Sequence, residues 1–148
     1  MPTDARGWSQ DAATPRCYCA AARKLARRLT RVYEAELRAA GMNPAQFELL
    51  NHLHARPGSS QAVLAEAIDA DQTTLSRNLK LLVEQDWVES MESAEDRRRA
   101  AYRLTAEGRR SLQRALPHWR RASNKVESSL RSPDTVWRAL RDLSAAAD

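Results

Sequence analysis

DQTTLSRNLKLL, residues 71–82, is the stretch on which the reading of this chain turns. An aspartate opens it, polar residues fill its first turns and leucines close it. On a helical wheel at about 100° per residue, Leu75, Leu79, Leu82 and Val83 gather on one side. Thr73, Thr74, Arg77 and Lys80 fall opposite, with Ser76 and Asn78 at the two borders. The pattern predicts a helix anchored by leucines, with hydroxyls, a guanidinium and an ammonium facing away from the anchor. Such groups contact phosphates and base edges in a major groove. Leu81 and Glu84 also point outward and do not suit DNA, but they come late in the helix.

The flanking segments give that face a context. SSQAVLAEAIDAD, residues 59–71, reads as a short helix capped by Ser60. Val63, Leu64 and Ile68 are expected inward, and a DAD turn hands Asp71 to the next helix as its cap. Two short helices joined by a tight turn form a helix-turn-helix, whose second helix reads DNA with its first turns. DWVESMESAEDRRRAAYRLT, residues 86–105, changes period and reads as two strands, about 87–92 and 100–104, around a charged tip at 93–99. Val88, Tyr102 and Leu104 are the expected inner residues. A hairpin directly after a helix-turn-helix is a wing. Its tip carries Arg97, Arg98 and Arg99 in sequence, suited to a narrow minor groove. Asp96 stands beside them, placed to pair with one arginine and steady the loop.

Further out the chain is helical. RCYCAAARKLARRLTRVYEAELRAAG, residues 16–41, repeats Leu25, Leu29, Val32, Tyr33 and Leu37 at spacings of three and four, and Gly41 is its stop. NPAQFELLNHLHARPG, residues 43–58, is a helix capped by Asn43, opened by Pro44 and lined inside by Phe47, Leu50 and Leu53. Thr105 caps a long helix with Glu107 in its first turn. Leu112, Leu116, Trp119, Val126 and Leu130 form its stripe, and Pro117 is expected to kink it. In SPDTVWRALRDL, residues 132–143, Ser132 caps, and Val136, Trp137, Leu140 and Leu143 are expected inward.

The fold class that follows is mainly α with a small β-hairpin wing: a winged helix-turn-helix flanked by long dimerisation helices. Residues 1–15 read as a flexible arm, 43–104 as the winged domain, and 16–42 with 105–148 as the helical dimerisation region. The flanking helices carry more apolar surface than one small domain needs, so they are expected to pair with a second copy, giving a homodimer.

Composition narrows the function. The chain has 148 residues, a net charge of +5 and a pI near 9.8. Only Lys24, Lys80 and Lys125 among its 24 basic residues are lysines. Arginine offers a planar fork of donors suited to phosphate and guanine, although an arginine-rich codon bias would give the same count. From 71 to 110 there are eight basic and eight acidic residues, so the winged region is neutral overall and must bind through local placement. No run of about 18 apolar residues predicts a membrane span, and MPTDARGWSQDAATPR lacks the apolar core of a secretion signal. A cytoplasmic protein is the default expectation. There is no Gly-rich phosphate loop, nucleophile elbow or metal-ligand spacing. An enzyme, a metal site and a cofactor are therefore not expected.

LAEAIDADQTTLSRNLKLLVEQDWVE (64–89) and EDRRRAAYRLTAEGRR (95–110) together resemble the reading segment and wing of the MarR-type winged-helix transcriptional regulators. The second stretch carries D-x-R followed by L-T-x-x-G, here Asp96, Arg98, Leu104, Thr105 and Gly108. The resemblance spans about residues 16–145. It implies a homodimer on a pseudo-palindromic double-stranded operator, usually a repressor. It also implies an effector site between the dimerisation helices and the winged domain, taking a small phenolic or aromatic compound or sensing thiol oxidation. By position, Ser76, Arg77 and Lys80 fall on the reading helix and Arg98 on the wing arginine.

Cys17 and Cys19 are the candidate oxidant sensors, since they lie at the start of the first helix, where such cysteines also stand in peroxide-sensing members. A helix N-terminus favours a thiolate, and oxidation would pass through a sulfenic acid. Residues two apart on a helix point about 200° apart, so bridging the pair would require unwinding. The alternative is that both are small helix fillers. His52 and His54 point apart for the same reason and read as structural or surface residues. His118 and Trp119, next to Pro117, are candidates to line a pocket. The competing reading of the whole chain is a winged-helix protein-interaction module without specific DNA binding.

Overall fold

The computed structural model describes residues 17–92 and 100–147. Helix α1 spans Tyr18–Leu37 and ends in a short 3-10 turn, Arg38–Ala40. Helix α2 spans Pro44–Ala55, strand β1 Ser59–Ser60, α3 Gln61–Ala67 and α4 Gln72–Glu84. Strands β2 (Val88–Glu92) and β3 (Ala100–Leu104) lead into α5, Ala106–Glu127, and α6, Pro133–Ala145.

Each helix of the winged domain begins on a capping residue that satisfies otherwise orphaned backbone N–H groups. Asn43 accepts the Gln46 N–H at 2.9 Å while Gln46 Oε1 accepts the Asn43 N–H at 3.0 Å, a reciprocal box at the start of α2. Ser60 accepts from Val63 at 3.3 Å, and Asp71 from Thr74 at 2.8 Å. The turn between α3 and α4 places Asp69 at φ 49°, a left-handed conformation that aspartate tolerates. The first helix starts two residues later than expected. Cys17 lies outside α1 as its cap, its Sγ accepting the Ala20 N–H at 3.4 Å.

The three strands form one antiparallel sheet in the order β1-β3-β2. Val88 faces Leu104 at the base of the wing and Glu92 faces Ala100 at its outer end. β1, which adds Ser59↔Tyr102 and Ser60↔Ala101, was not anticipated: two serines carry no period-2 hydrophobic signal. Of the expected inner strand residues, Val88 and Leu104 are buried and Tyr102 is half-buried.

The core is built from Leu37, Phe47, Leu49, Leu50, Leu53, Leu64, Leu75, Leu79, Leu82, Val88, Leu104 and Leu112, with Met42 and Ala115. Burying one leucine or phenylalanine contributes about 1.5–3 kcal/mol. Several residues expected inward are not. Val63 and Val83 are exposed, since each lies at the margin of a narrow stripe that Leu64 and Leu79–Leu82 already fill. Val136, Trp137, Leu140 and Leu143 of α6 are all exposed, Trp137 by 57%. α6 has no substantial packing partner among the described residues, which leaves its apolar stripe uncovered by them. Ser132 makes no cap bond to the α6 backbone; its hydroxyl meets Thr135 Oγ1 at 2.8 Å. α5 runs unbroken through Pro117 and ends at Glu127, short of Leu130.

The wing is tied to α5 through Thr105. Thr105 N–H donates to the Trp87 carbonyl at 3.1 Å. Its hydroxyl donates to the Asp86 carbonyl at 2.5 Å and accepts the Gly108 N–H at 2.9 Å. This gives the T-x-x-G spacing a physical meaning, because a Cβ on Gly108 would sit 1.8 Å from the Trp87 carbonyl oxygen. Gly108→Ala is therefore expected to cost about 2 kcal/mol or more, as overpacking against rigid backbone does. Urea denaturation checks it, and wild-type stability in that variant would contradict the close approach.

Candidate nucleic-acid interface and adjoining cleft

α4 divides as its sequence predicts. Leu75, Leu79 and Leu82 are essentially inaccessible, while Thr73, Thr74, Ser76, Arg77 and Lys80 are exposed and Asn78 is half-buried. The two threonines differ in what they offer. Thr74 Oγ1 donates to Asp71 Oδ2 at 2.6 Å, so its hydroxyl belongs to the cap. The same hydroxyl is the main reason the Asp71 carboxyl is held below its ordinary range, with the Thr74 backbone N–H second. Asp71 is thus held as a charged cap at the start of α4.

Among the described residues from 71 to 110, Arg103, Arg109 and Arg110 are firmly engaged. Arg103 Nε binds Glu89 at 2.7 Å across the β2–β3 ladder, and Arg109 donates to the Leu104 carbonyl at 3.1 Å. Arg110 and Arg114 both clasp Glu107, at 2.8 and 2.9 Å, and hold its carboxyl down at about 2, Arg114 contributing most. Lys80 has only a loose pair with Glu84 at 3.9 Å. Arg77 has no partner among the described residues. The neutral total of residues 71–110 therefore conceals an uneven distribution: paired charges at the base of the wing, and open ones on α4. Asp96, Arg97, Arg98 and Arg99 lie outside the described residues, between Glu92 and Ala100.

A cleft of about 340 Å³ opens between α1, α2 and α5. Tyr33, Leu37, Phe47 and Trp119 make its apolar wall, with Pro44, Glu48, Asn51 and His52 beside them. Trp119 stacks on Phe47, with ring centroids 5.6 Å apart and planes 11° apart, and tilts against Tyr33 at 6.5 Å. The Tyr33 hydroxyl is tied to Ser123 Oγ at 3.0 Å. Beside it, Glu36 of α1 pairs with Lys125, and with Arg121 Nε at 3.1 Å, of α5. Those two contacts, Lys125 first, hold its carboxyl below the ordinary range. Of the two residues expected near a pocket, Trp119 lines the cleft. His118 does not; its Nδ1 receives the Arg121 guanidinium at 2.5 Å. Tyr33, Glu48, Asn51 and His52 were not anticipated as cleft residues. Tyr33 lies on α1 and the other three on α2, and only the packing of α1 and α2 with α5, which brings Trp119, makes one cleft of them.

Cys17 and Cys19 are both exposed with free thiols. Among the described residues there is no cluster of His, Cys, Asp and Glu able to hold a metal ion, and no helix long and apolar enough to cross a membrane.

A family profile described as MarR family matches residues 40–99. The chain is similar to the M. tuberculosis transcriptional regulator MosR solved in complex with DNA, at 35% identity and a TM-score of 0.81, covering 89% of this chain and 96% of that one. It is 27% identical over 101 residues to the HTH-type transcriptional regulator BilQ of Clostridium symbiosum, covering 68% of this chain and 70% of BilQ. It also shares its fold with apo MarR of E. coli, at 18% identity and a TM-score of 0.71, covering 91% of this chain and all of that one. A winged helix-turn-helix with these caps, this three-stranded wing and this T-x-x-G clasp, together with those likenesses, identifies the chain as a member of the MarR family of transcriptional regulators.

Proposed function

We propose that the protein is a homodimeric repressor that binds a pseudo-palindromic double-stranded operator and leaves it when a small aromatic ligand occupies the α1/α2/α5 cleft. The observation that carries the DNA reading is the division of α4. Three leucines lock the helix to the core, while Thr73, Ser76, Arg77 and Lys80 stand out from it with Arg77 unpaired among the described residues. Arg77 is assigned to a base edge, Lys80 and Thr73 to phosphate and groove wall, and Thr74 to orienting the helix through Asp71. Arg97, Arg98 and Arg99 are assigned to the adjacent minor groove, with Asp96 steadying them. MosR, at 35% identity, binds DNA, which supports the same use of this chain.

The dimer reading rests on α6 and on the outer face of α1. Trp137, Leu140, Leu143, Leu25 and Tyr18 are all exposed in the single chain. Two copies paired through these helices would cover them and set two α4 helices side by side, which a palindromic site requires. On this reading residues 16–42 and 105–148 form the dimerisation region and 43–104 the DNA-binding domain. Oxidation of Cys17 or Cys19 is the second route to release. Both thiols are accessible, and Cys17 Sγ is itself the cap of α1, so oxidation there would alter the start of a dimerisation helix.

Arg77→Ala is expected to cost about 1–3 kcal/mol on the specific operator and little on random DNA, whereas Arg98→Ala weakens binding several-fold with the dimer intact. Gel-shift titration on both DNAs checks this. Equal loss on all sequences would move Arg77 to the phosphates, and unchanged affinity in both variants would remove DNA reading from α4 and the wing. Trp137→Asp is expected to shift the protein towards monomer in sedimentation analysis while its circular dichroism is unchanged. A fully dimeric variant would contradict the role given to α6.

A further inference from the structure

The cleft's charge is unlike its shape. Tyr33, Phe47 and Trp119 form an aromatic wall that suits a flat ring, and the volume of about 340 Å³ admits a bicyclic one. Glu48 is the charged carboxylate at its edge, and it has no ion-pair partner among the described residues. Among the described residues no lysine or arginine lines the cleft. The nearby cations of α5, Arg121 and Lys125, are held on Glu36. Asn51 and His52 add neutral hydrogen-bonding groups, and neither replaces a guanidinium as the seat of a carboxylate. An aromatic acid in this site would bring its charge towards Glu48 with no fixed counter-ion. An aromatic base would find one.

We propose that the cleft selects a planar aromatic ligand bearing a cationic nitrogen, an amidine or protonated amine, which Glu48 receives while the ring lies against Trp119 and Phe47, and that it disfavours aromatic carboxylates of the same shape. The inference rests on reading this cleft as the effector site. Glu48 is exposed, so the pair it forms is screened and its selectivity is modest.

The test is isothermal titration of the full-length protein with 2-naphthamidine, 2-naphthamide and 2-naphthoate, which share one ring system and differ in charge. It is run at pH 8, above the range in which imidazole carries a proton. The amidine is expected to bind about two- to five-fold more tightly than the amide, with the naphthoate weakest. Glu48→Gln is expected to erase the amidine's advantage and leave the amide's affinity unchanged. Tightest binding by the naphthoate, equal binding by all three, or an amidine preference that survives Glu48→Gln would overturn the charge selection and leave the effector reading standing. Binding by none of the three would overturn both.

Discussion

The Trp87 carbonyl is the point at which the end of α4, the wing and the long helix α5 meet. It accepts the Thr105 N–H while the Thr105 hydroxyl reaches the Asp86 carbonyl, and Gly108 lies so close that no side chain fits. Asp86 turns the chain out of α4 with a φ of 57°, so the clasp holds the end of α4 directly. The β2–β3 ladder begins beside it at Val88↔Leu104, and α5 starts from it at Ala106. One backbone carbonyl therefore joins the end of α4 and the base of the wing to the helix that runs to the cleft.

Charge is distributed to match. At the base of the wing and along α5, five basic side chains are matched by carboxylates: Arg103 by Glu89, Arg110 and Arg114 by Glu107, Arg121 and Lys125 by Glu36. Pairs this open to solvent on their cationic side contribute little stability each, but they leave fewer cations free for phosphate. Among the described residues of 71–110, Arg77 and the loosely paired Lys80 stay open, both on the exposed face of α4. On the proposed reading, a region neutral in total would then favour sequence recognition over general attraction to DNA.

Where the signal was local, the fold was legible in the sequence. Asn43, Ser60, Asp71 and Thr105 cap the helices they were expected to cap, since a cap is a contact over three residues. The leucines of α4 point inward because their spacing alone sets a face. Errors came where a face depends on something distant. Val63 and Val83 have the right residue type but lie at the edge of stripes that a small core already satisfies. β1 exists only because β3 passes beside Ser59 and Ser60. The spacing of Val136, Trp137, Leu140 and Leu143 predicts an inward face, but among the described residues no element packs substantially against it. The cleft was the least legible part: Tyr33, Glu48 and Trp119 are separated along the chain and share no periodicity, so only the packing of three helices reveals them.

The central claim is that two α4 helices, each anchored by its leucines and open at Arg77 and Lys80, read the two halves of one operator. Hydroxyl-radical footprinting of the DNA upstream of the protein's own gene tests it most directly. The account predicts two protected half-sites of related inverted sequence, their centres about one helical turn apart, disappearing together as protein is diluted. A single unpaired footprint, or uniform protection that sequence changes do not move, would contradict it.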